Sequence, residues 1–168
     1  PPTPDIPHPP TPRPLPSWDS PGVVAPPPLI YGVPLAAGIY FNRRSPFELM
    51  PGNIARTIGV ALGIVAIIFS LAAATQFWRA KTPMMPYKAT SAIIESGPFA
   101  ISRNPLYLAM TVGYVAVSLF FNTAWPLFVL PLVLLVMYRG VIAREELYLE
   151  QKFGERYVEY MRRVRRWI

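Results

Sequence analysis

The chain has 168 residues, of which 52% are hydrophobic and only 15% are charged, so it is too apolar for an ordinary water-soluble domain. It contains no cysteine and a single histidine, His8, which excludes disulfide bonds, thiolate metal sites and any centre that needs several histidines. The net charge of +7 accompanies long apolar runs, which favours a membrane surface over a nucleic acid as the partner. We therefore expect neither a metal site nor a nucleic-acid interface.

The N-terminal part of the chain is rich in proline. Residues 1–28 hold 13 of the 22 prolines, which fix the backbone and remove hydrogen-bond donors. The composition predicts a disordered tail that lies outside the folded domain, and an arm of this kind could dock a protein partner.

The first two apolar segments differ in length. Residues 29–41 are short for a transmembrane helix, which needs about 20 residues, so they predict a tilted span or a re-entrant segment. A helix over residues 54–78 is long enough to cross a membrane, because residues 57–78 contain no charge. Its residues Gly59 and Gly63 form a pair of small residues that could let another helix approach closely.

A polar segment separates these helices from a longer apolar run. Residues 79–103 hold four basic residues and one acidic residue, which is typical of a cytoplasmic loop. The next 35 residues carry no charge and are too long for one span. Asn122 and Pro126 interrupt them, so we predict a helical hairpin over 105–121 and 125–142.

The last segment predicts an amphipathic helix over 143–165. Its apolar residues recur at steps of three and four: Leu149, Phe153, Tyr157, Tyr160 and Val164. The basic residues 162–166 suit an anionic membrane surface. The predicted fold class is an all-α, polytopic integral membrane protein, with a domain over 29–168, about four transmembrane helices and a C-terminal amphipathic cytoplasmic helix.

The basic residues also predict the orientation in the membrane. The loop over 79–103 and the C-terminal segment are both expected in the cytoplasm, since an even number of crossings separates them. Arg43, Arg44 and Arg56 would then lie on the opposite side, against the general bias.

Two polar blocks flank the predicted hairpin. Residues 97–107 lie at its entry, and Arg144, Glu145 and Glu146 lie at its exit. Because a hairpin returns to the side that it left, we expect both blocks at one membrane face. Together they supply cations, carboxylates, an amide and a phenol.

Each of these side chains also has an ordinary structural interpretation. Asn104 has the pattern of a helix N-cap, and Arg103 could be a long side chain that reaches the interface. Tyr107 could be an interfacial aromatic residue, and Glu145 and Glu146 could lie on the solvated face of a helix.

The two blocks together resemble the isoprenylcysteine carboxyl methyltransferase and phospholipid methyltransferase superfamily of membrane enzymes. The resemblance covers about the last 85 residues. It rests on Gly97-Pro98-Phe99, Arg103-Asn104-Pro105-Leu106-Tyr107, Glu145-Glu146, Leu149, Phe153-Gly154, Tyr157, Tyr160, Val164 and Arg166. The superfamily often has histidine where Asn104 stands and glycine where Ala109 stands. Asparagine cannot exchange a proton near pH 7, so a mechanism that needs an acid or base there is not expected.

The resemblance implies transfer of a methyl group from S-adenosyl-L-methionine to a lipid-borne acceptor at a site that faces the cytoplasm. The acceptor it favours is an isoprenylcysteine carboxylate, and phosphatidylethanolamine is the alternative. The catalytic residues that it implies are Arg103, Arg144 and Glu146. The cofactor-binding residues that it implies are Gly97, Pro98, Arg103, Asn104, Tyr107, Glu145 and Glu146.

Two other functions fit parts of the sequence. A non-catalytic membrane anchor would also have small apolar helices, a basic tail and a proline-rich arm. A sterol reductase dependent on NADPH would share the helix arrangement that the superfamily implies, but such enzymes are much longer.

Overall fold

The computed structural model describes residues 21–84 and 90–168, and all regular structure in these residues is helical. The helices are α1 (Pro27–Asn42), α2 (Gly52–Arg79), α3 (Pro105–Phe120), α4 (Trp125–Met137), α5 (Ala143–Phe153) and α6 (Glu155–Arg163). A 3-10 helix over Gly97–Ala100 precedes α3, and a π-helical turn over Tyr138–Ile142 joins α4 to α5. Most of the predicted tail, residues 1–20, lies outside the described residues, and α1 already begins at Pro27.

Two helices are long and apolar enough to cross a membrane: α2, and the continuous helix over Trp125–Phe153 that contains α4 and α5. The outer face of α2 is exposed, with Ile67, Ile68 and Leu71 each more than 60% accessible. In water this face would be a large exposed apolar patch, whereas in a membrane lipid tails would cover it. Helices also satisfy their own backbone hydrogen bonds, which a membrane interior requires.

Helices α2 and α3 pack at backbone contact around Gly59. A Cβ atom at Gly59 would lie 2.6 Å from the backbone nitrogen of Phe120 and 2.8 Å from the carbonyl oxygen of Ala116. At Gly63 a Cβ atom would lie 3.9 Å from the Cβ atom of Ala116, which is an ordinary contact. The expected close approach therefore depends on Gly59.

The short helix α1 packs against both α3 and α4. The hydroxyl group of Tyr31 lies 2.8 Å from that of Thr111, and its ring meets the ring of Tyr114 edge-on at 6.2 Å. These contacts belong to a buried cluster formed by Tyr31, Tyr114, Val133, Met137 and Val141. The segment for which a tilted or re-entrant structure was an option is thus a helix that packs one face, around Tyr31, against the bundle.

The bundle has two ends: a turn end, where short loops connect the helices, and a cavity end, where a cavity lies among the helices and the segments that connect them. At the turn end, the loop over 43–51 meets the loop over 121–124, as in the hydrogen bond from the Ala124 amide to the Phe47 carbonyl oxygen (3.0 Å). At the cavity end, residues 80–84 and 90–104 meet the residues that follow α4. Both polar blocks identified in the sequence lie at the cavity end.

The single amphipathic helix predicted over 143–165 is wrong in one respect, because the structure has two helices there, α5 and α6. They are separated at Gly154, whose φ of 57° and ψ of −135° lie in a region that only glycine occupies readily. After this break, Tyr157, Tyr160 and Val164 form a buried cluster against Ile93. The glycine therefore turns α6 back over the cavity end.

Candidate active site

The centre of the cavity end is a pairing between two distant segments of backbone. The Arg103 amide donates to the Arg165 carbonyl oxygen (3.0 Å), and Asn104 Nδ2 donates to the Arg166 carbonyl oxygen (3.1 Å). Ser102 Oγ also donates to the Arg166 carbonyl oxygen (3.3 Å). The N-cap interpretation of Asn104 is wrong, because its side chain makes no capping hydrogen bond to α3. It fixes the C-terminal segment against the start of α3.

Glu146 lies between two arginines. Its carboxylate accepts hydrogen bonds from Arg166 Nε (3.0 Å) and from Arg166 Nη2, a bidentate geometry. Arg103 Nη1 lies 3.2 Å from Oε1 of the same carboxylate. The side chains of Arg103 and Glu146 are both only 11% exposed, so one buried carboxylate serves two guanidinium groups.

Arg103 retains buried donors that have no hydrogen-bond acceptor in the described part of the chain. Its Nε and Nη1 atoms are buried, and neither finds a hydrogen-bond acceptor among the described residues. A buried donor of this kind is costly without a partner. An anionic group from a ligand would supply that partner.

A second carboxylate, Glu145, lies near the first. It accepts a hydrogen bond of 2.8 Å from the Tyr107 hydroxyl, and no ion pair involving it is found in the described residues. A carboxylate that is held only by a neutral phenol is suited to attract a cation. The site therefore presents separate groups for an anion and for a cation.

These groups line a cavity with a mainly apolar wall. The polar residues that reach it include Arg103, Asn104, Tyr107, Glu145 and Glu146. The apolar lining includes Phe77, Ile93, Ile94, Phe99, Leu106 and Leu149. Apolar walls exclude water and so strengthen the electrostatic interactions of the buried charges.

Helix α6 closes one side of this cavity. Burial raises the pKa of the Tyr160 phenol, which stays protonated and donates to the carbonyl oxygen of Phe99 (2.7 Å). Glu95 pairs with Arg163 (2.6 Å) and Arg156 (3.7 Å), which ties the loop before the 3-10 helix to α6. The wall of the cavity is thus held by contacts at several points.

Three of the predicted site residues do not reach the cavity. Gly97 and Pro98 form the 3-10 turn that places Phe99 at its wall, and a Cβ atom at Gly97 would lie 2.8 Å from Gln76 Nε2. Arg144 is exposed and donates to the Gly22 carbonyl oxygen (2.7 Å). The structure therefore brings Arg103, Asn104, Tyr107, Glu145 and Glu146 together, but not Gly97, Pro98 or Arg144.

Sequence reasoning missed three residues that shape the site: Tyr157, Tyr160 and Arg166. All three belong to the pattern that carried the resemblance, so the signal was present. Their amphipathic spacing and the neighbouring basic residues instead suggested a membrane-facing helix. In the structure Tyr157 and Tyr160 line the cavity, and Arg166 binds Glu146.

Comparisons with known proteins point to one family. The chain matches the sequence model of a family described as "Phospholipid methyltransferase" over residues 54–156. An "Uncharacterized protein" of Haemophilus influenzae is 36% identical over 63 residues, which are 38% of this chain and the whole of that protein. No solved structure matches the chain.

Proposed function

The chain belongs to the phospholipid methyltransferase family, and from this membership and the geometry of the cavity we propose that it transfers a methyl group from S-adenosylmethionine to a lipid-borne acceptor. The observation that carries the proposal is the pair of unlike charges at one cavity. Within residues 21–84 and 90–168, Arg103 has buried donors without a hydrogen-bond acceptor, and Glu145 is held only by a phenol.

The residues present fit the amino-acid part of S-adenosylmethionine, which has a carboxylate and an ammonium group. We propose that Arg103 binds the carboxylate and that Glu145 binds the ammonium group or the ribose hydroxyls. Tyr107 holds Glu145 in place, and Asn104 fixes the backbone beside Arg103. When bound, S-adenosylmethionine supplies a methyl group already activated by its sulfonium centre.

The chain's own contribution is then alignment and exclusion of water. Reaction of an activated methyl donor depends on holding the nucleophile in line with the carbon–sulfur bond. The apolar lining, which includes Phe77 and Leu106, keeps water from competing with the acceptor. Arg103 and Glu146 belong to this alignment, because they fix the charged end of the site.

The acceptor that the geometry favours is a lipid-borne carboxylate, such as that of an isoprenylcysteine. Glu146 is neutralised by two arginines, and Glu145 is assigned to the cofactor. No further carboxylate or histidine lines the described part of the cavity to take a proton from an amine. A carboxylate reacts without losing a proton, so it needs no such group.

A phospholipid amine is the second candidate, and the description of the matching family favours it. An amine such as that of phosphatidylethanolamine must lose a proton before it attacks. Glu145 would then act as the proton acceptor instead of binding the cofactor. The two candidates thus assign different roles to the same carboxylate.

We also propose that α1 to α4 all cross the membrane, with the cavity end in the cytoplasm. Among the described residues, Arg43, Arg44 and Arg56 are the basic residues at the turn end, whereas Arg79, Lys81 and the basic residues of the segment over 90–168 lie at the cavity end. This distribution follows the positive-inside bias.

Since the chain has no cysteine, Ser45→Cys and Ser96→Cys would test the proposed orientation with a thiol reagent that cannot cross the membrane. Labelling of the first but not the second from outside the cell is expected, and the reverse would overturn this orientation.

A labelled-methyl assay in lipid nanodiscs tests the function. Label from S-adenosylmethionine is expected in prenylcysteine analogues, while incorporation only into phosphatidylethanolamine would favour the second candidate.

Glu145→Gln should weaken binding of S-adenosylhomocysteine at least about tenfold if Glu145 binds the cofactor, because a charge-assisted hydrogen bond is lost. Glu150→Gln, an exposed carboxylate on the same helix, is the control. Failure of folded protein to bind S-adenosylhomocysteine would favour the non-catalytic anchor.

A further inference from the structure

Arg166 lies outside the part of the chain that matches the family, yet it contacts the site at three points. Its guanidinium group binds both oxygens of Glu146 and lies 4.9 Å from the centre of the Tyr138 ring. Its carbonyl oxygen accepts hydrogen bonds from Asn104 and Ser102. The backbone and the side chain of Arg166 therefore have separate roles.

The two arginines compete unequally for Glu146. Arg166 makes a bidentate pair, whereas Arg103 approaches a single oxygen at 3.2 Å without the geometry of a hydrogen bond. The hydrogen bonds to Glu146 raise the pKa of the Arg166 guanidinium further above its ordinary value, so Arg166 remains charged. Two cations on one anion leave the cluster of Arg103, Glu146 and Arg166 with a net positive charge.

This arrangement decides what Arg103 can bind. If Arg166 did not hold Glu146, the carboxylate could turn fully to Arg103 and make the bidentate pair itself. One of the two buried donors of Arg103 that have no acceptor would then be satisfied within the protein. An incoming carboxylate would have to displace Glu146 before it could bind.

We propose that Arg166 is a positioning residue, which occupies Glu146 and so keeps the guanidinium group of Arg103 available for an anionic group of the ligand. This inference rests on the proposed function, in which that anionic group is the cofactor's carboxylate. Arg166 itself does not need to touch the ligand. Its side chain should therefore affect recognition of a carboxylate, and not binding of the rest of the ligand.

The test compares two ligands, S-adenosylhomocysteine and its decarboxylated analogue, by calorimetry on the full chain in nanodiscs. In Arg166→Met the affinity for S-adenosylhomocysteine should fall at least about tenfold, while that for the decarboxylated analogue should stay within about threefold. Arg166→Lys should show an intermediate loss, because lysine keeps the charge but not the bidentate geometry. Arg162→Met, which removes an exposed arginine of α6, is the matched control.

A double variant separates positioning from damage to the fold. In Arg166→Met with Glu146→Gln, the competing carboxylate is gone, so the preference for S-adenosylhomocysteine over the analogue should return. Equal loss of affinity for both ligands in Arg166→Met, or no recovery in the double variant, would overturn the positioning role. An unchanged preference in Arg166→Met would also overturn it. If the unaltered protein binds neither ligand, the proposed function itself fails.

Discussion

Hydrogen bonds hold the loops together at both ends of the helix bundle. The two ends differ in which buried polar groups remain without a hydrogen-bond partner. At the turn end, Asn122 accepts from the amides of Leu49 (3.2 Å) and Met50 (3.4 Å) and donates to the Met50 carbonyl oxygen (2.9 Å). Trp125 Nε1 donates to the Ser45 carbonyl oxygen (2.7 Å). These bonds close the loops and leave no buried charge among the described residues at this end.

At the cavity end, similar bonds hold the chain together around charges that are only partly satisfied. The unpartnered buried side-chain atoms in the described residues are one neutral hydroxyl at the turn end, that of Thr123, and two guanidinium nitrogens of Arg103. Although Arg103 is ion-paired with Glu146, a buried donor of a charged group costs more to leave without an acceptor than a neutral hydroxyl does. The comparison suggests that the turn end serves stability, whereas the cavity end retains a group that needs a ligand.

The largest expected effect follows from removing the guanidinium group of Arg103. Arg103→Ala should weaken binding of S-adenosylhomocysteine at least about tenfold, because the carboxylate loses its charge-assisted donors. Calorimetry in nanodiscs would measure it, with Arg162→Ala as a control for loss of a surface arginine. Equal affinities in Arg103→Ala and the unaltered protein would remove Arg103 from the site and erase the distinction between the two ends.

A second prediction concerns the packing of α2 against α3, the helices that run between the two ends. Gly59→Ala should lower the free energy of unfolding by about 1–3 kcal/mol, because the new Cβ atom would overlap the backbone of α3. Gly63→Ala is the matched control, because its Cβ atom would make only an ordinary contact. Denaturant titration in detergent micelles would compare them, and equal stabilities would argue against the close packing at Gly59.

The smallest expected effect lies at the turn end. Asn122→Gly should cost about 1 kcal/mol of stability through its lost hydrogen bonds, and Asn122→Ala should cost more, because the φ of 47° at this residue disfavours alanine. Neither substitution should change the affinity for S-adenosylhomocysteine. A marked loss of affinity would show that the two ends are coupled, contrary to the comparison.

The helices themselves were largely predictable from the sequence. Charge-free runs bounded by polar residues locate α2, α3 and α4, because a long apolar segment has few alternatives to a helix in lipid. Pro105 marks the first turn of α3, where proline needs no partner for a missing amide. The predicted hairpin alone was enough to predict that both polar blocks lie at the same end.

The partners of individual side chains were not predictable in this way. Asn104 before Pro105 has the sequence pattern of a cap, but tertiary contacts direct its amide to the Arg166 carbonyl oxygen. Gly154 ends α5 in a conformation that an amphipathic pattern cannot reveal. Arg144 and Arg166 are both basic residues near the site, and only the fold decides that Arg166 reaches Glu146.

The pairing of Asn104 with Arg166 joins residues that are 62 positions apart, and this has a consequence for biosynthesis. If α1 to α4 cross the membrane as proposed, a nascent chain could insert them while Glu146 still lacks Arg166 and the Arg103 amide still lacks the Arg165 carbonyl oxygen. The proposed site could form only once the chain has been synthesised as far as Arg166, so a chain that stops earlier would lack it.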